Sequence, residues 1–291
     1  MPNFFDEADA SGIVEDHIKK VLSLEASESD KILSSYSGVR DQLIQKLSRF
    51  PPGSFTAQHL RGVLSQVQGA IEAMNSGMKD SLSHSAYDFA SAGMQDNIDE
   101  INMFDEMFTG AVTPINLNAA LAAREVSNLL TTKYETNLEA YGNDLQTQIT
   151  NGLFSAALGE VNHEEVVGRI SSFFTAEEWK LRRIVRTELH NIYNVGKLRS
   201  MGDLSESQIP DLMKTLMHPM DDRTGDDSKY AARVNLVAAI DEPFQYTWRG
   251  QSREFMAPPD RPNDRAILVP YRREWGTARG GAFLPGSYPE A

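Results

Sequence analysis

The chain has 291 residues, 41% of them hydrophobic and 24% charged, with no cysteine and a formal net charge of −13. This length allows two ordinary domains, and the absence of cysteine excludes disulfides, thiolate metal sites and cysteine nucleophiles. Because no apolar run approaches the roughly 18–20 residues that span a bilayer and the N-terminus is acidic, we expect neither membrane insertion nor classical export.

Apolar residues spaced three and four apart predict helices throughout the first half of the chain. Three such stripes run over residues 13–22, 32–47 and 60–78. Phe50-Pro51-Pro52-Gly53-Ser54 separates the second stripe from the third, since proline and glycine do not continue a helix, and Thr56 is a candidate cap for the next one. The polar stretch 79–100 is interpreted as a continued or a broken helix.

Further helices are predicted between residues 110 and 217. A break at 110–114 places Pro114 in the first turn of a helix of about ten turns that runs to residue 149. After a second break at 159–162, a short helix is expected over 163–173. The capping-box pattern of Thr175 and Glu178 then predicts a separate helix that stops at Gly202. A similar pattern at 205–208 predicts a short helix up to about residue 217.

Beyond residue 218 the pattern changes to short apolar runs between turn residues, which predicts strands. The runs cover 234–240, 244–248, 254–256 and 266–270. Arg249-Gly250-Gln251 is typical of a β-hairpin turn. The proline-rich segment 256–262 predicts an extended loop, and residues 276–291 predict a flexible tail.

An acidic segment at 218–227 is the sharpest candidate for chemistry. It contains His218, Asp221, Asp222, Asp226 and Asp227, which offer the imidazole and carboxylate groups used by metal-dependent nucleases. The spacing is not that of a calcium-binding loop, and the same residues suit a tight turn. We favour the structural turn, and we expect no metal, no cofactor and no catalytic residue.

Basic residues offer candidate binding surfaces. Residues 1–150 contain 21 acidic and 10 basic residues, which disfavours nucleic-acid binding there, whereas residues 151–291 contain 20 and 18. Arg186 lies among Lys180, Arg182 and Arg183, and either faces phosphate or acidic protein or pairs with the acidic turn. Arginines interleaved with aromatics form either a partner-binding surface or a small core, and the candidate partner-binding residues are Arg249, Arg253, Arg272, Arg273 and Trp275.

The order of motifs over roughly residues 165–275 resembles the phage Mu F-like head morphogenesis family of minor head proteins. Its recurring features are an Arg-Thr-Glu helix, an Asp-Arg turn, a Pro-Phe hairpin and a proline-rich loop leading into a short strand. The matching positions are Arg186, Thr187 and Glu188; Asp222 and Arg223; Pro243 and Phe244; and 258–265.

Two departures limit what the resemblance implies. Many family members have a histidine soon after the Asp-Arg turn, where this chain has Ser228, Lys229 and Tyr230. Many also have Asn-Cys-Arg-Cys after the proline-rich loop, where this chain has Asn263-Asp264-Arg265-Ala266. A metal or thiol role is therefore not carried over, and the resemblance implies a few-copy scaffold protein at the portal or inner shell.

These observations predict a mainly α protein with an elongated helical region at 1–160, an α+β domain with a β-hairpin at 161–275 and a tail at 276–291. The predicted function is that of a structural minor head protein of a tailed phage, located in the head interior near the portal vertex. Its expected partners are the portal protein, the major capsid protein or both, and packaged double-stranded DNA is a further candidate. A metal-dependent nuclease or hydrolase centred on 218–227 is the alternative.

Overall fold

A computed structural model describes residues 8–49, 57–112, 114–157, 163–219, 225–231, 236–262, 264–276 and 281–283. Four long helices account for most of the described chain, followed by short strands. The helices are α1 (Ala8–Ser48), α2 (Ala57–Thr109), α3 (Ala119–Ala157) and α4 (His163–Ser207). The prediction of a mainly α protein with a small C-terminal α+β part is confirmed. None of the described helices is both long and apolar enough to cross a membrane.

The helix boundaries agree with the predicted breaks at 50–54, at 110 and at 159–162, the last of which lies between α3 and α4. Proline and glycine stand between α1 and α2, and Gly110, with a φ of 72°, follows the end of α2. The stretch 79–100 is a continuous part of α2. Thr56 lies outside the described residues. Pro114 is not in a first helical turn, because α3 begins five residues later, where the Asn118 side chain accepts the N–H of Leu121 at 3.2 Å.

Two predicted helix boundaries inside α4 are wrong. Thr175 donates its hydroxyl to the carbonyl of Ser171, one turn back, so it lies in the interior of the helix and caps nothing. Gly202 is also helical, and α4 ends at Ser207. The short helix predicted up to residue 217 is absent. Strand β1 (Met213–Pro219) occupies the end of that stretch, and all its residues after the first are buried.

The C-terminal strands form two small sheets. In the first, β1 lies between β2 (Val237–Ala239) and β5 (Ile267–Tyr271) and is antiparallel to both. In the second, β3 (Phe244–Trp248) pairs with β4 (Gln251–Phe255). The predicted hairpin is confirmed, because Trp248 pairs with Gln251 across Arg249 and Gly250, whose φ angles of 48° and 78° suit a two-residue turn.

Two short elements complete the described C-terminal part. Helix α5 (Asp226–Ala231) precedes β2 in the chain. Strand β6 (Gly281–Phe283) pairs in parallel with the end of β1. Three residues of the predicted tail are therefore paired in a sheet. Residues 277–280 and 284–291 lie outside the described residues.

Contacts divide the chain into two units that cut across all four long helices. The first unit comprises Met1–Ala26, Ser85–Leu130 and Arg186–Ala291, and the second comprises Ser27–His84 and Thr131–Val185. The domain boundaries predicted at residues 160 and 275 divide the chain by sequence order, whereas the units follow helix packing. Those boundaries stay predictions.

Candidate functional site

The motif-bearing segments meet in the first unit, where α4 packs against β5. Asn194 on α4 accepts the N–H of Leu268 at 2.7 Å and donates to the carbonyl of His190, one turn back. His190 contacts the carbonyl of Ala266 at 2.7 Å through Nε2. The proline-rich loop therefore enters β5 along the helix that carries the Arg-Thr-Glu motif. Within that motif Arg186, Thr187 and Glu188 are all partly buried.

Phe244, from the Pro-Phe motif, lies beneath a buried lysine that sequence reasoning did not single out. Lys214 on β1 donates to the carbonyls of Ile240 and Met256, at 3.0 and 3.1 Å, and its ammonium lies 5.2 Å from the centre of the Phe244 ring. Burial lowers the pKa of Lys214 to about 8, against smaller opposing effects of Asp241 and Glu242. This lysine joins β1 to the segments that flank the hairpin. Pro243, the other residue of the motif, is partly buried.

The acidic segment supplies one end of a second polar cluster. Arg261, in the proline-rich loop, bonds to Asp227 and to Ser228 on α5, and its guanidinium lies 3.6 Å from Asp260. Tyr246 in β3 donates to Asp260 at 3.3 Å. The cluster therefore connects α5, the hairpin and the proline-rich loop. An arginine does hold the acidic segment as expected, but the described bond comes from Arg261, whereas Arg186 was the candidate.

Two carboxylates near the end of the proline-rich loop, those of Asp260 and Asp264, affect the pKa values of groups in this cluster. Asp264 accepts the backbone N–H groups of Asp260 and Ala266, each at 3.2 Å. Burial, followed by the charge of Asp264, raises the pKa of Asp260, while Arg261 opposes the shift. Burial also raises the pKa of Tyr246 to about 12, with a contribution from Asp260. The tyrosine therefore stays a neutral hydrogen-bond donor at physiological pH.

His218 is the least satisfied polar side chain near these carboxylates. It lies in β1 and is 4% exposed, and neither ring nitrogen has a hydrogen-bond partner among the described residues. Burial lowers the pKa of His218, which keeps the ring neutral at neutral pH, although Asp264 opposes the shift. Asp221, Asp222 and Arg223 lie outside the described residues. Within the described part of the chain, no three acidic or histidine side chains are arranged to hold a metal ion.

The predicted partner-binding residues divide into exposed and internal ones. Arg249 projects from the hairpin turn, with its guanidinium 5.1 Å from the centre of the Trp248 ring. Arg273 is exposed, and Arg253 is partly buried. The guanidinium of Arg249 also lies 3.9 Å from the Asp226 carboxylate, in an ion pair that is open to solvent.

Arg272 and Trp275 have internal roles instead. Trp275 is 1% exposed and donates its indole N–H to Asp105 at 3.0 Å, while its ring lies edge-on to Phe104. Arg272 bonds to the same Asp105 and to Asp211, at 2.9 and 3.0 Å. For these two residues the interpretation as a small core fits the structure better than a partner-binding surface. The sequence pattern could not distinguish these uses, because aromatic and arginine residues are enriched in both settings.

The charged contacts between α1, α2 and α4 were not anticipated from the sequence. Lys197 bonds to both carboxylate oxygens of Glu100, at 2.6 and 2.7 Å, and both side chains are fully buried. Asp96 accepts from Lys20 at 2.7 Å and from Tyr193 at 2.9 Å. The available sequence signal was weak, because it consists of single charged residues within apolar helical stripes. Such a pattern is the same in sequence whether the helix face is buried or exposed to solvent.

Comparison with protein-family models, with curated proteins and with solved structures finds no match for this chain. The resemblance described above therefore depends on the residues quoted for it and on their order.

Proposed function

We propose that this chain is a structural minor head protein of a tailed phage, present in several copies near the portal vertex and bound to the portal or the inner capsid. The observation that carries the proposal is the order of the motifs at Arg186–Glu188, at Pro243–Phe244 and in the proline-rich loop. These segments lie together in the first unit.

The bonding of the polar groups in these segments supports a scaffold role. Lys214 bonds to two backbone carbonyls, Arg261 bonds to α5, and Arg272 bonds to acids on two other segments. Each joins pieces of chain that are distant in sequence. Such cross-links favour a rigid body that presents a fixed surface, which is what an assembly partner requires.

The contact surface that we assign to the partner comprises Arg249, Arg253 and Arg273. Arginine beside an aromatic ring, as with Arg249 over Trp248, is common at the energetic centres of protein interfaces. Arg272 is excluded from this surface because it is engaged with Asp105 and Asp211.

Co-expression with the portal protein of the same phage, followed by affinity capture, tests both the function and the surface. The wild-type chain is expected to capture portal, and the Arg249→Glu/Arg273→Glu variant is expected to capture much less. Arg124→Glu/Lys133→Glu is the matched control, because it reverses two exposed charges on α3. Equal capture by both variants would show that the surface is wrong. Absence of the wild-type chain from purified virions would contradict the proposed function.

A metal-dependent hydrolase is the second candidate, and one observation favours it. His218 combines a lowered pKa with two ring nitrogens that have no partner among the described residues, as expected of a residue that acts as a ligand or base. Purified protein would be incubated with DNA or RNA and Mg²⁺ or Mn²⁺, with His218→Ala as the control. Cleavage by the wild-type protein alone would support the hydrolase, and no cleavage would eliminate it.

A further inference from the structure

The buried side chain of His190 faces a hydrogen-bond acceptor at each ring nitrogen. Nδ1 lies 2.6 Å from a carboxylate oxygen of Glu25 on α1, and Nε2 lies 2.7 Å from the carbonyl of Ala266, just before β5. His190 and Glu25 are both almost completely buried. A carbonyl oxygen can only accept, so Nε2 must carry a hydrogen.

The short contact to Glu25 then requires one more proton. It is either on Nδ1, which gives an imidazolium paired with a carboxylate, or on Glu25, which gives a neutral acid bonded to a neutral ring. Both arrangements hold the same number of protons, one more than a neutral histidine beside a charged glutamate. Without this proton, the neutral ring has one N–H for two acceptors. Its bare nitrogen would then face either the Glu25 carboxylate at 2.6 Å or the Ala266 carbonyl at 2.7 Å in the protein interior, which is strongly unfavourable.

We propose that His190, Glu25 and the carbonyl of Ala266 form a proton-dependent clasp that holds α1 and the start of β5 against α4. When the extra proton is bound, both contacts are hydrogen bonds. When it is lost, one of them becomes a contact between two acceptors, and the three segments loosen.

The charges around the clasp favour the protonated form. Burial alone lowers the pKa of His190, but the charge of Glu25, its hydrogen bond and the Ala266 carbonyl outweigh burial, so the pKa is raised. Asp264, on the loop before β5, adds to this effect. On α2, the buried acids Asp96 and Glu100 bond to Lys20, Tyr193 and Lys197.

The direction of the pH response follows from the raised pKa. Below about 6.5, the ordinary histidine pKa, the imidazole is protonated in the folded and unfolded chain alike, so the clasp contributes fully. As the pH rises above that value, opening the clasp releases a proton, and the contribution is lost once the pH passes the folded-state pKa. Each pH unit in this window increases the opening constant by up to about tenfold.

The two contacts are expected to respond unequally, because the charged Glu25 carboxylate is a stronger acceptor than the Ala266 carbonyl. The hydrogen that remains on the neutral ring is therefore expected on Nδ1, and the Ala266 contact is the main point of release. Asn194 holds the N–H of Leu268 whether or not His190 is protonated, so the loosening is expected to begin just before β5.

The test combines a histidine NMR titration with amide hydrogen exchange on the full chain. His190, assigned with the His190→Gln variant, is expected to titrate above 6.5. In the pH range above 6.5, amide exchange around Ala266 and the start of β5, corrected for its intrinsic pH dependence, is expected to accelerate by up to about tenfold per pH unit.

Two variants separate the clasp from general alkaline loosening. Glu25→Gln can donate an amide N–H to neutral Nδ1 and leaves Nε2–H on the Ala266 carbonyl. Its His190 is therefore expected to titrate below 6.5, and its exchange around Ala266 to lose the extra pH dependence. His84→Gln, which removes an exposed histidine from α2, is expected to behave like wild type. A wild-type His190 that titrates below 6.5 would overturn the proposal, and so would an unchanged pH response in Glu25→Gln. The wild-type titration alone decides the matter if Glu25→Gln does not fold.

Discussion

The same four helices form two units with very different interiors. Of the buried polar and charged residues in the described chain, all but Ser29 and Glu177 lie in the first unit. There, pairs such as Lys197 with Glu100 and His190 with Glu25 are enclosed between helices. The second unit has an interior of aliphatic and aromatic side chains, including Tyr36 beside Phe174, with ring centres 5.5 Å apart.

The difference shows two ways in which long helices can be held in register. Apolar faces contribute most of the free energy of folding, but they tolerate small shifts, since one apolar contact can replace another. A buried charge has no such freedom, because a shift that separates it from its partner leaves it unpaired at a cost of several kcal/mol. We infer that the register of the helices is fixed more tightly in the first unit, which carries the motif segments, than in the second unit.

The largest expected effect comes from breaking a buried pair in the first unit. Lys197→Ala leaves the Glu100 carboxylate buried without its ammonium partner, and we expect it to lower the free energy of unfolding by about 3–5 kcal/mol. The double variant Lys197→Met/Glu100→Leu removes both charges and should lose less than the single variant. Urea unfolding followed by circular dichroism measures both. A double variant that is less stable than Lys197→Ala would contradict this account.

Glycine substitutions give the next largest contrast between the units. A Cβ on Gly93 would lie 2.1 Å from the backbone carbonyl oxygen of Tyr193, so Gly93→Ala forces α2 and α4 apart and should cost roughly 1–3 kcal/mol.

The matched substitution is Gly142→Ala in the second unit. Its Cβ would meet the amide end of the Asn75 side chain, which can rotate away. Because alanine gains up to about 1 kcal/mol over glycine within a helix, this variant should be neutral or slightly stabilising. Thermal unfolding of the two variants measures their stability. Equal losses of stability would mean that a contact with backbone costs no more than a contact with a side chain that can rotate away.

The second unit should respond to alkaline pH through Tyr36. Its hydroxyl donates to the carbonyl of Phe174 at 2.7 Å, and burial raises the pKa of Tyr36 to about 12. Because this pKa exceeds the ordinary value of 10, its contribution is complete below pH 10 and is lost as the pH approaches 12. Tyr36→Phe should cost about 1 kcal/mol at pH 7 and reduce this alkaline loss. Urea unfolding at pH 7 and at pH 10–11 measures both effects, and an unchanged pH response in Tyr36→Phe would contradict the assignment.

The smallest effect is expected at an exposed ion pair of the second unit. Arg182 bonds to Asp30, and the two side chains are 36% and 67% exposed. Since solvent and salt screen such pairs, Arg182→Ala should change the free energy of unfolding by less than about 1 kcal/mol. Urea unfolding in low and high salt checks this. A loss comparable with that of Lys197→Ala would mean that burial is not what distinguishes the two units.

Much of the helical layout was predictable, because its signals are local. Proline and glycine at 50–54 and at Gly110 mark helix ends wherever they stand in the chain, and Arg249-Gly250 suits a hairpin turn through its own backbone preferences. The wrong predictions arose where the tertiary environment of a residue outweighed its local sequence signal. Thr175 matches the sequence pattern of a helix cap, but its hydroxyl bonds to Ser171 inside α4. Strand β1 lacks the alternating apolar pattern of a half-buried strand because nearly all of it is buried.

The candidate site was predictable only in part. The helix and the hairpin that carry motif residues were predicted as elements of the fold, yet the arginine found bonded to Asp227 is Arg261. Trp275 was assigned to a surface and lies in a core. Local pattern does not indicate which of several arginines or aromatics faces inward, since that depends on segments far away in the chain.

The sequence by itself determined the mainly helical class, the positions of the main breaks and the hairpin, because each follows from backbone preferences and apolar spacing over a few residues. Only the tertiary structure decided which charges are buried and with what partners. Glu25 and His190 are 165 residues apart in the sequence, and other bonded pairs, such as Lys197 with Glu100, are also far apart. Their pairing depends on how the long helices pack, which is a property of the whole chain.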